Sequence, residues 1–210
     1  MRVGILGSGL MGGKLGTIFA RAGHEVVFSY ARSQEKLRKL AHDAQGKARA
    51  GTPGEAAKDA DALLLAVHWS RIDDVLELAG DLSGRVIVTC SLPMDARNTK
   101  LIVANTSSGA EELRKKIPKA RVVSAFNTVP SEVLFGVYES RRNTRRPSLV
   151  YCGDDESGKA VAVELIRDTG VACKTSPLLP WRAPASSPRS LLSPGPTKKS
   201  VANWGGNRIQ

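Results

Sequence analysis

Residues 2–12, Arg2-Val3-Gly4-Ile5-Leu6-Gly7-Ser8-Gly9-Leu10-Met11-Gly12, decide how the rest of the chain is read. The apolar run Arg2 to Leu6 predicts a strand, the residues that follow to about Ala22 a helix, and Glu25 to Phe28 a second strand. Three glycines lie between the first strand and the helix at G-x-G-x-x-G spacing, the context that gives the pattern a mechanical meaning. Gly7 permits the tight turn out of the strand. Gly9 has no side chain to hold a pyrophosphate away from the backbone, and Gly12 lets the helix pack closely on the sheet. The helix N-terminus then presents unpaired N–H groups and a partial positive charge. A βαβ unit of this form implies a dinucleotide site.

The end of the second strand narrows the cofactor. A site for NAD usually places an acid there, to accept from the ribose 2′-OH. Here the stretch is Phe28-Ser29-Tyr30-Ala31-Arg32-Ser33, with no acid until Glu35. Arg32 can pair with a 2′-phosphate, Ser29 and Ser33 can add hydroxyls, and Lys36 adds a second charge. The sequence therefore favours NADP. Arg32 and Lys36 also fit a solvated loop and helix start, with Ser33 as N-cap.

Strands and helices alternate along the 210 residues, which predicts one α/β domain with a Rossmann-type, doubly wound parallel sheet. The pattern places helices at 33–44, 53–58, 70–79, 108–116, 130–138 and 156–168. Further strands fall at 47–50, 62–67, 85–89, 121–126 and 148–152. Ser108 and Glu111 have capping-box spacing, and Gly170 reads as a helix stop. No apolar run approaches the ~20 residues that cross a bilayer, and the expected setting is cytoplasmic. Cys90, Cys152 and Cys173 are widely spaced; Cys90 and Cys152 read as small core residues, and no spacing suggests a metal site.

In an open parallel sheet, ligands bind beyond the carboxyl ends of the strands. Three such ends carry unusual residues: His68-Trp69-Ser70, Cys90-Ser91-Leu92-Pro93 and Asn127-Thr128-Val129-Pro130. Trp69 offers a flat face for a ring, Asn127 a donor and an acceptor, and backbone N–H groups near Pro93 and Pro130 can hold a nicotinamide or a second ring. Each has a plainer alternative: His68 as a hydrogen-bonded cap, Trp69 as cover for the sheet edge, Asn127 and Thr128 as a turn before Pro130. No side-chain acid, base or nucleophile is assigned a catalytic role. Hydride transfer between two bound rings depends on orientation and exclusion of water.

These residues resemble a family. The glycine loop, Ser29-Tyr30-Ala31-Arg32-Ser33, Val67-His68-Trp69 and above all Val122 to Pro130 (VVSAFNTVP) look like the deazaflavin-dependent NADP reductases, also called NADPH:coenzyme F-420 oxidoreductases. Cys152-Gly153-Asp154-Asp155 is similar to that family's last βα unit, and the likeness extends over about residues 1–172. The resemblance implies hydride exchange between NADPH and the deazaflavin, with both rings in one cleft. It implies Ser8, Leu10 and Met11 along the pyrophosphate with the glycines. It places Ser29, Arg32, Ser33 and Lys36 around the 2′-phosphate, and Val67, His68, Trp69, Ser91, Pro93, Asn127 and Thr128 along the cleft. His68 stands where family members often carry Pro, and Asn127 where they often carry His. A homodimer is the assembly the resemblance implies. Other NADPH-dependent reductases, of imines, hydroxyacids, flavins or metal ions, share parts of the pattern, as would a nucleotide-binding module without turnover.

After Cys173 the composition changes. Residues 174–210 hold six of the eleven prolines, six basic residues and no acid. The net charge of +11 divides into +5 from residues 1–173, with 25 basic and 20 acidic residues, and +6 from this tail. The tail has no helical or strand period and reads as unstructured. Arg-, Pro- and Ser-rich sequence without acids fits a shift of reading frame near codon 173. A basic arm for nucleic acid is the alternative, but only Trp181 and Trp204 interleave aromatics, so small-molecule partners are expected, without nucleic acid or membrane.

Overall fold

The computed structural model describes residues 1–103 and 106–175. Among these residues eight strands form one sheet: β1 (Arg2–Leu6), β2 (Glu25–Ser29), β3 (Ala48–Ala50), β4 (Ala62–Leu65), β5 (Val86–Thr89), β6 (Arg121–Ser124), β7 (Ser148–Gly153) and β8 (Ala172–Thr175). The helices are α1 (Leu10–Arg21), α2 (Gln34–Ala44), α3 (Pro53–Ala57), α4 (Ile72–Ala79), α5 (Gly109–Lys116), α6 (Leu134–Glu139) and α7 (Glu156–Asp168). The strand order is β3-β2-β1-β4-β5-β6-β7-β8, whose first six positions give the Rossmann order. The order reverses between β1 and its neighbour β4, so the glycine turn after β1 sits at the topological switch point.

Alternation along the central strands builds two cores. Ala62 and Leu64 of β4 join one cluster with Val3, Ile5, Phe19 and Phe28, while Leu63 and Leu65 join another with Ile72, Val75 and Ile87. A sheet buried on both faces needs apolar residues at consecutive positions, and β4 (ALLL) supplies them. Each fully buried leucine contributes about 1.5–3 kcal/mol. Among the described residues no helix is long and apolar enough to cross a membrane.

The sheet departs from the all-parallel expectation. β7 pairs antiparallel with β6, Val123 opposite Gly153 and Ser124 opposite Cys152; β8 then pairs parallel with β7. A parallel β7 would require the chain to return along the sheet. The connection after β6 contains only a 3-10 turn (Ser131–Val133) and the six-residue α6. That helix spans about 9 Å and does not carry the chain back. β8, absent from the sequence reading, runs two residues past the boundary drawn at 173. The expected tail from 176 onward lies outside the described residues. Cys90 and Cys152 are half-buried, Cys90 packing against the first core cluster, and all three cysteines are free.

Local signals placed most helices correctly. Ser108 and Glu111 close the expected capping box of α5, and Thr52 with Glu55 forms a second at α3. Asp155 caps α7 through Gly158 N. Lys14 Nζ on α1 donates to the Ser131 carbonyl at 2.9 Å and ties α1 to the segment after β6.

Candidate functional site: the carboxyl edge of β1, β2, β4, β5 and β6

The glycine turn has the geometry its spacing implies. Gly7 has φ +112°, and a Cβ there would lie 2.5 Å from the Ala66 carbonyl oxygen. A Cβ on Gly12 would lie 1.9 Å from the Gly7 carbonyl oxygen. Among the described residues, nothing lies within 4 Å of the absent Cβ of Gly9. Two glycines thus hold the turn against the sheet, and the third leaves open space. Gly9 is also the N-cap of α1, with no side-chain cap and no acid in the first turn. The first helical bond is Gly13 N to the Gly9 carbonyl, so the preceding amides have no intrahelical partner. An open helix N-terminus behind a cradle free of side chains fits a pyrophosphate.

Hydroxyls brace this turn. Ser8 Oγ donates to the Ser29 carbonyl at 2.8 Å, and Ser29 Oγ donates to the Ile5 carbonyl at 2.7 Å; both serines are fully buried. Ser29 thus holds β2 to β1, with its hydroxyl already engaged. Arg32, Ser33 and Lys36 are exposed beyond the end of β2. Ser33 caps α2, accepting from Lys36 N at 3.2 Å, which leaves its own O–H free to donate. The capping reading and the phosphate reading of Ser33 are therefore compatible. Leu10 is exposed and Met11 half-buried at the start of α1.

The next strand ends supply a second wall. Val67 is half-buried against the glycine turn, and its carbonyl accepts from Ser91 Oγ at 2.8 Å. Ser91 is buried, so its hydroxyl joins the ends of β4 and β5. Trp69 is half-buried; a Cβ on Gly109 would touch its ring at 3.4 Å and the Pro93 ring at 3.1 Å. Burial pushes the Cys90 thiol, beside Ser91, up to about 12. Phe126, fully buried, holds φ +65°, uncommon for a bulky side chain. It opens the turn that carries Asn127, whose Oδ1 accepts from Ser124 Oγ at 3.0 Å, and the exposed Thr128.

His68 is a latch. Its Nδ1 accepts from Ser70 N at 3.2 Å, so Nε2 carries the proton. Nε2 then donates to the Asp95 carbonyl and Asn98 Oδ1, both at 3.1 Å. The segment it holds is a small flap. Met94 bridges Leu101, and Asp95 receives Thr99 N and Thr99 Oγ1, each at 2.7 Å. These bonds, the Thr99 hydroxyl first, hold the Asp95 carboxyl below its ordinary value. The capped, hydrogen-bonded reading of His68 describes it. Next to the flap, Leu92, Leu101 and Ile102 are exposed apolar side chains.

Sequence reasoning missed a further group. Tyr30 donates through its hydroxyl to Asp74 Oδ2 and accepts from Arg71 Nε at 2.8 Å, joining the loop after β2 to the 3-10 turn and the first turn of α4 that follow β4. No local signal links residues 41 and 44 positions apart; the adjacency of β2, β1 and β4 does. Elsewhere, His24, Glu164 and Asp168 place ligand atoms within 4.8 Å of one another. His24 is engaged there, through Nε2 with Asp168 at 2.7 Å and through Nδ1 with the Met1 ammonium at 3.4 Å. A cavity of about 290 Å³ opens at the opposite end of β1 and β2, lined by charged residues that include Arg2, Glu25 and Arg49. It contains none of the glycine-turn residues.

Known proteins place this edge in context. Residues 2–93, from β1 through the turn after β5, match the family described as "NADP oxidoreductase coenzyme F420-dependent". The resemblance is to the F420-dependent NADP reductases. One such reductase, from Methanocaldococcus jannaschii, is 28% identical over 116 residues, 53% of this chain and 50% of the relative. Metalloreductase STEAP3 of Rattus norvegicus is 27% identical over 169 residues, 80% of this chain and 32% of the relative. The matches thus cover half or less of these curated relatives. Among solved structures, hypothetical protein SMa0349 of Sinorhizobium meliloti superposes with a TM-score of 0.73 at 25% identity, covering 83% of this chain and 84% of that one. A proposed F420-dependent NADP-reductase from Arthrobacter sp. FB24 gives 0.70 at 23% identity, covering 83% of each. A reductive aminase from Aspergillus terreus, solved with NADPH4, shares the fold at 0.60 and 16% identity, covering 83% of this chain and 54% of that one.

Proposed function

We propose that this chain binds NADP(H) across the glycine turn and transfers a hydride between it and a small acceptor. The observation that carries the proposal is the open space at Gly9 in front of unpaired α1 amides, with Arg32, Ser33 and Lys36 and no acid at the end of β2. The backbone of Gly9 to Gly12 would hold the pyrophosphate, and Arg32, Ser33 and Lys36 the 2′-phosphate. The nicotinamide supplies the hydride when bound. The chain contributes position: Val67, Trp69, Pro93 and the Asn127 turn shape the wall beside it and exclude water.

Reduction adds a hydride and a proton to the acceptor. His68, the site's one histidine, is engaged on both ring nitrogens, and burial keeps the Cys90 thiol protonated. An acceptor that needs no side-chain acid therefore suits the site, with the proton coming from solvent. A deazaflavin meets that description and agrees with the family resemblance. An imine, a hydroxyacid's carbonyl precursor or a flavin are the alternative hydride acceptors, and a metal ion would take its electrons singly from a flavin reduced in this way. The test is NADPH consumption by the full chain with each acceptor in turn. Turnover with the deazaflavin supports the first reading; turnover with another acceptor assigns the second. Tight NADPH binding with no acceptor reduced would identify a nucleotide-binding module and refute hydride transfer.

A further inference from the structure

Tyr30 leaves β2 with φ 55°, a left-handed conformation rare for an aromatic residue. Strain of this kind persists where the surroundings fix it, and it marks functional edges. Here the surroundings are Arg71 and Asp74. The phenol donates to Asp74 Oδ2, Arg71 Nε donates to the phenol oxygen at 2.8 Å, and Arg71 Nη2 donates to the same Asp74 oxygen at 2.9 Å. The guanidinium carbon lies 5.8 Å from the Tyr30 ring centre. Burial, with the Asp74 bond, raises the Tyr30 phenol, so it remains a donor at neutral pH. Arg71 Nη1 has no hydrogen-bond partner among the described residues, and 59% of the side chain is exposed. The result is a guanidinium plane fixed by two of its nitrogens, with the rest of its surface open.

Its place is defined by the turn itself. Ser8 N donates to the Tyr30 carbonyl at 3.1 Å and Gly7 N to the Ser29 carbonyl at 3.3 Å, so Tyr30 adjoins the glycine turn. Arg32 follows two residues later. Tyr30 and Arg71 therefore flank the turn from β2 and β4, on the side where Arg32 marks the adenosine end.

We propose that Arg71, held by Tyr30 and Asp74, is the platform for the adenine ring. The proposal rests on the NADP(H) reading above. A planar guanidinium stacks on an aromatic base, and one already oriented loses little freedom on binding. Asp74 balances the charge of Arg71, so the contribution is stacking rather than attraction for the 2′-phosphate. The two arginines divide the work: Arg71 takes the base that NADPH and NADH share, and Arg32 takes the phosphate that only NADPH carries.

Calorimetric titration of the full chain with NADPH and NADH separates these roles. Arg71→Ala and Arg71→Gln should weaken both nucleotides by the same factor, about 5- to 150-fold, the range of one lost stacking contact. Tyr30→Phe removes the hydroxyl that orients Arg71 and should give a smaller loss, again equal for both. Thermal melting of each variant reports folding, and Arg71→Gln, which keeps the stem, provides the result if the alanine variant unfolds. Unchanged affinities, or a loss confined to NADPH, would overturn the proposal. Arg32→Ala is the companion: wild-type binding that prefers NADPH and depends on Arg32, but not on Arg71, refutes the platform and leaves the NADP(H) reading intact. A wild-type chain that binds neither nucleotide refutes both.

Discussion

Gly9→Ala and Gly12→Ala add the same methyl group three residues apart, with opposite expected consequences. At Gly12 the new Cβ would lie 1.9 Å from the Gly7 carbonyl oxygen and 3.1 Å from Ala66 Cβ. Backbone carbonyls do not swing aside, so α1 must move off the turn by more than 1 Å. Overpacking of this kind costs about 1–3 kcal/mol or more, and the helix propensity gained, about 1 kcal/mol, offsets only part of it. With the clash against backbone at the upper end of that range, about 2 kcal/mol remains, and Gly12→Ala should lower the melting temperature by roughly 4–8 °C for a domain of this size. At Gly9 the new Cβ meets nothing within 4 Å among the described residues, and φ is −78°, a value alanine adopts. Loss of the glycine cap costs under about 1 kcal/mol, so the melting temperature should fall by no more than about 3 °C. The methyl group would, however, stand where the phosphates approach α1, and NADPH affinity should fall by about 10- to 100-fold, equivalent to overpacking by one methyl group. Scanning calorimetry and nucleotide titration read the two effects separately. Full NADPH affinity in Gly9→Ala, or wild-type stability in Gly12→Ala, would refute the reasoning.

Arg32→Ala should weaken NADPH by about 10-fold or more and leave NADH nearly unchanged, since a charge-assisted pair to phosphate contributes about 1.5–3 kcal/mol; equal losses for both nucleotides would place Arg32 elsewhere. His68→Ala removes the latch on the 94–101 flap. Hydrogen exchange at Asn98, Thr99 and Lys100 should speed up by about 10-fold, while protection in β1 and β4 stays unchanged. Unaltered exchange would mean that Asp95 holds the flap unaided. The Cys90 thiol, raised to about 12, should resist alkylation in the folded chain at pH 8, where about 1 in 10,000 molecules carries the thiolate. It should react readily in denaturant, and rapid labelling of the native chain would contradict its burial.

The half of the sheet that carries the site was legible because its signals are local. The run Arg2 to Leu6 and the glycine spacing define β1, its turn and α1 within twenty residues, and the short apolar run Ala62-Leu63-Leu64-Leu65 reads as a strand buried on both faces. Capping residues marked the starts of α2 and α5, and Gly170 the stop of α7. The direction of β7 was not legible. It depends on whether the path from Ala125 to Pro147 returns along the sheet, a matter of geometry rather than of residue pattern. At the site, sequence identified which residues stand at strand ends but not what their side chains touch. Ser29 and Ser91 look like free hydroxyls on paper and are engaged by the Ile5 and Val67 carbonyls. His68 stands at a strand end facing the cleft on paper and proves to be tied to a loop 27 residues away. The Tyr30, Arg71 and Asp74 group arises only when β2 and β4 flank β1.

On the proposed reading, the glycine turn and the end of β2 form a site for NADP(H). Isothermal titration of the full chain with NADPH and with NADH, side by side in one buffer, tests it most directly. Saturable one-to-one binding, at least about 10-fold tighter for NADPH, is the predicted result, the margin expected from a bound 2′-phosphate. Binding of neither nucleotide, or equal affinity for both, would contradict it.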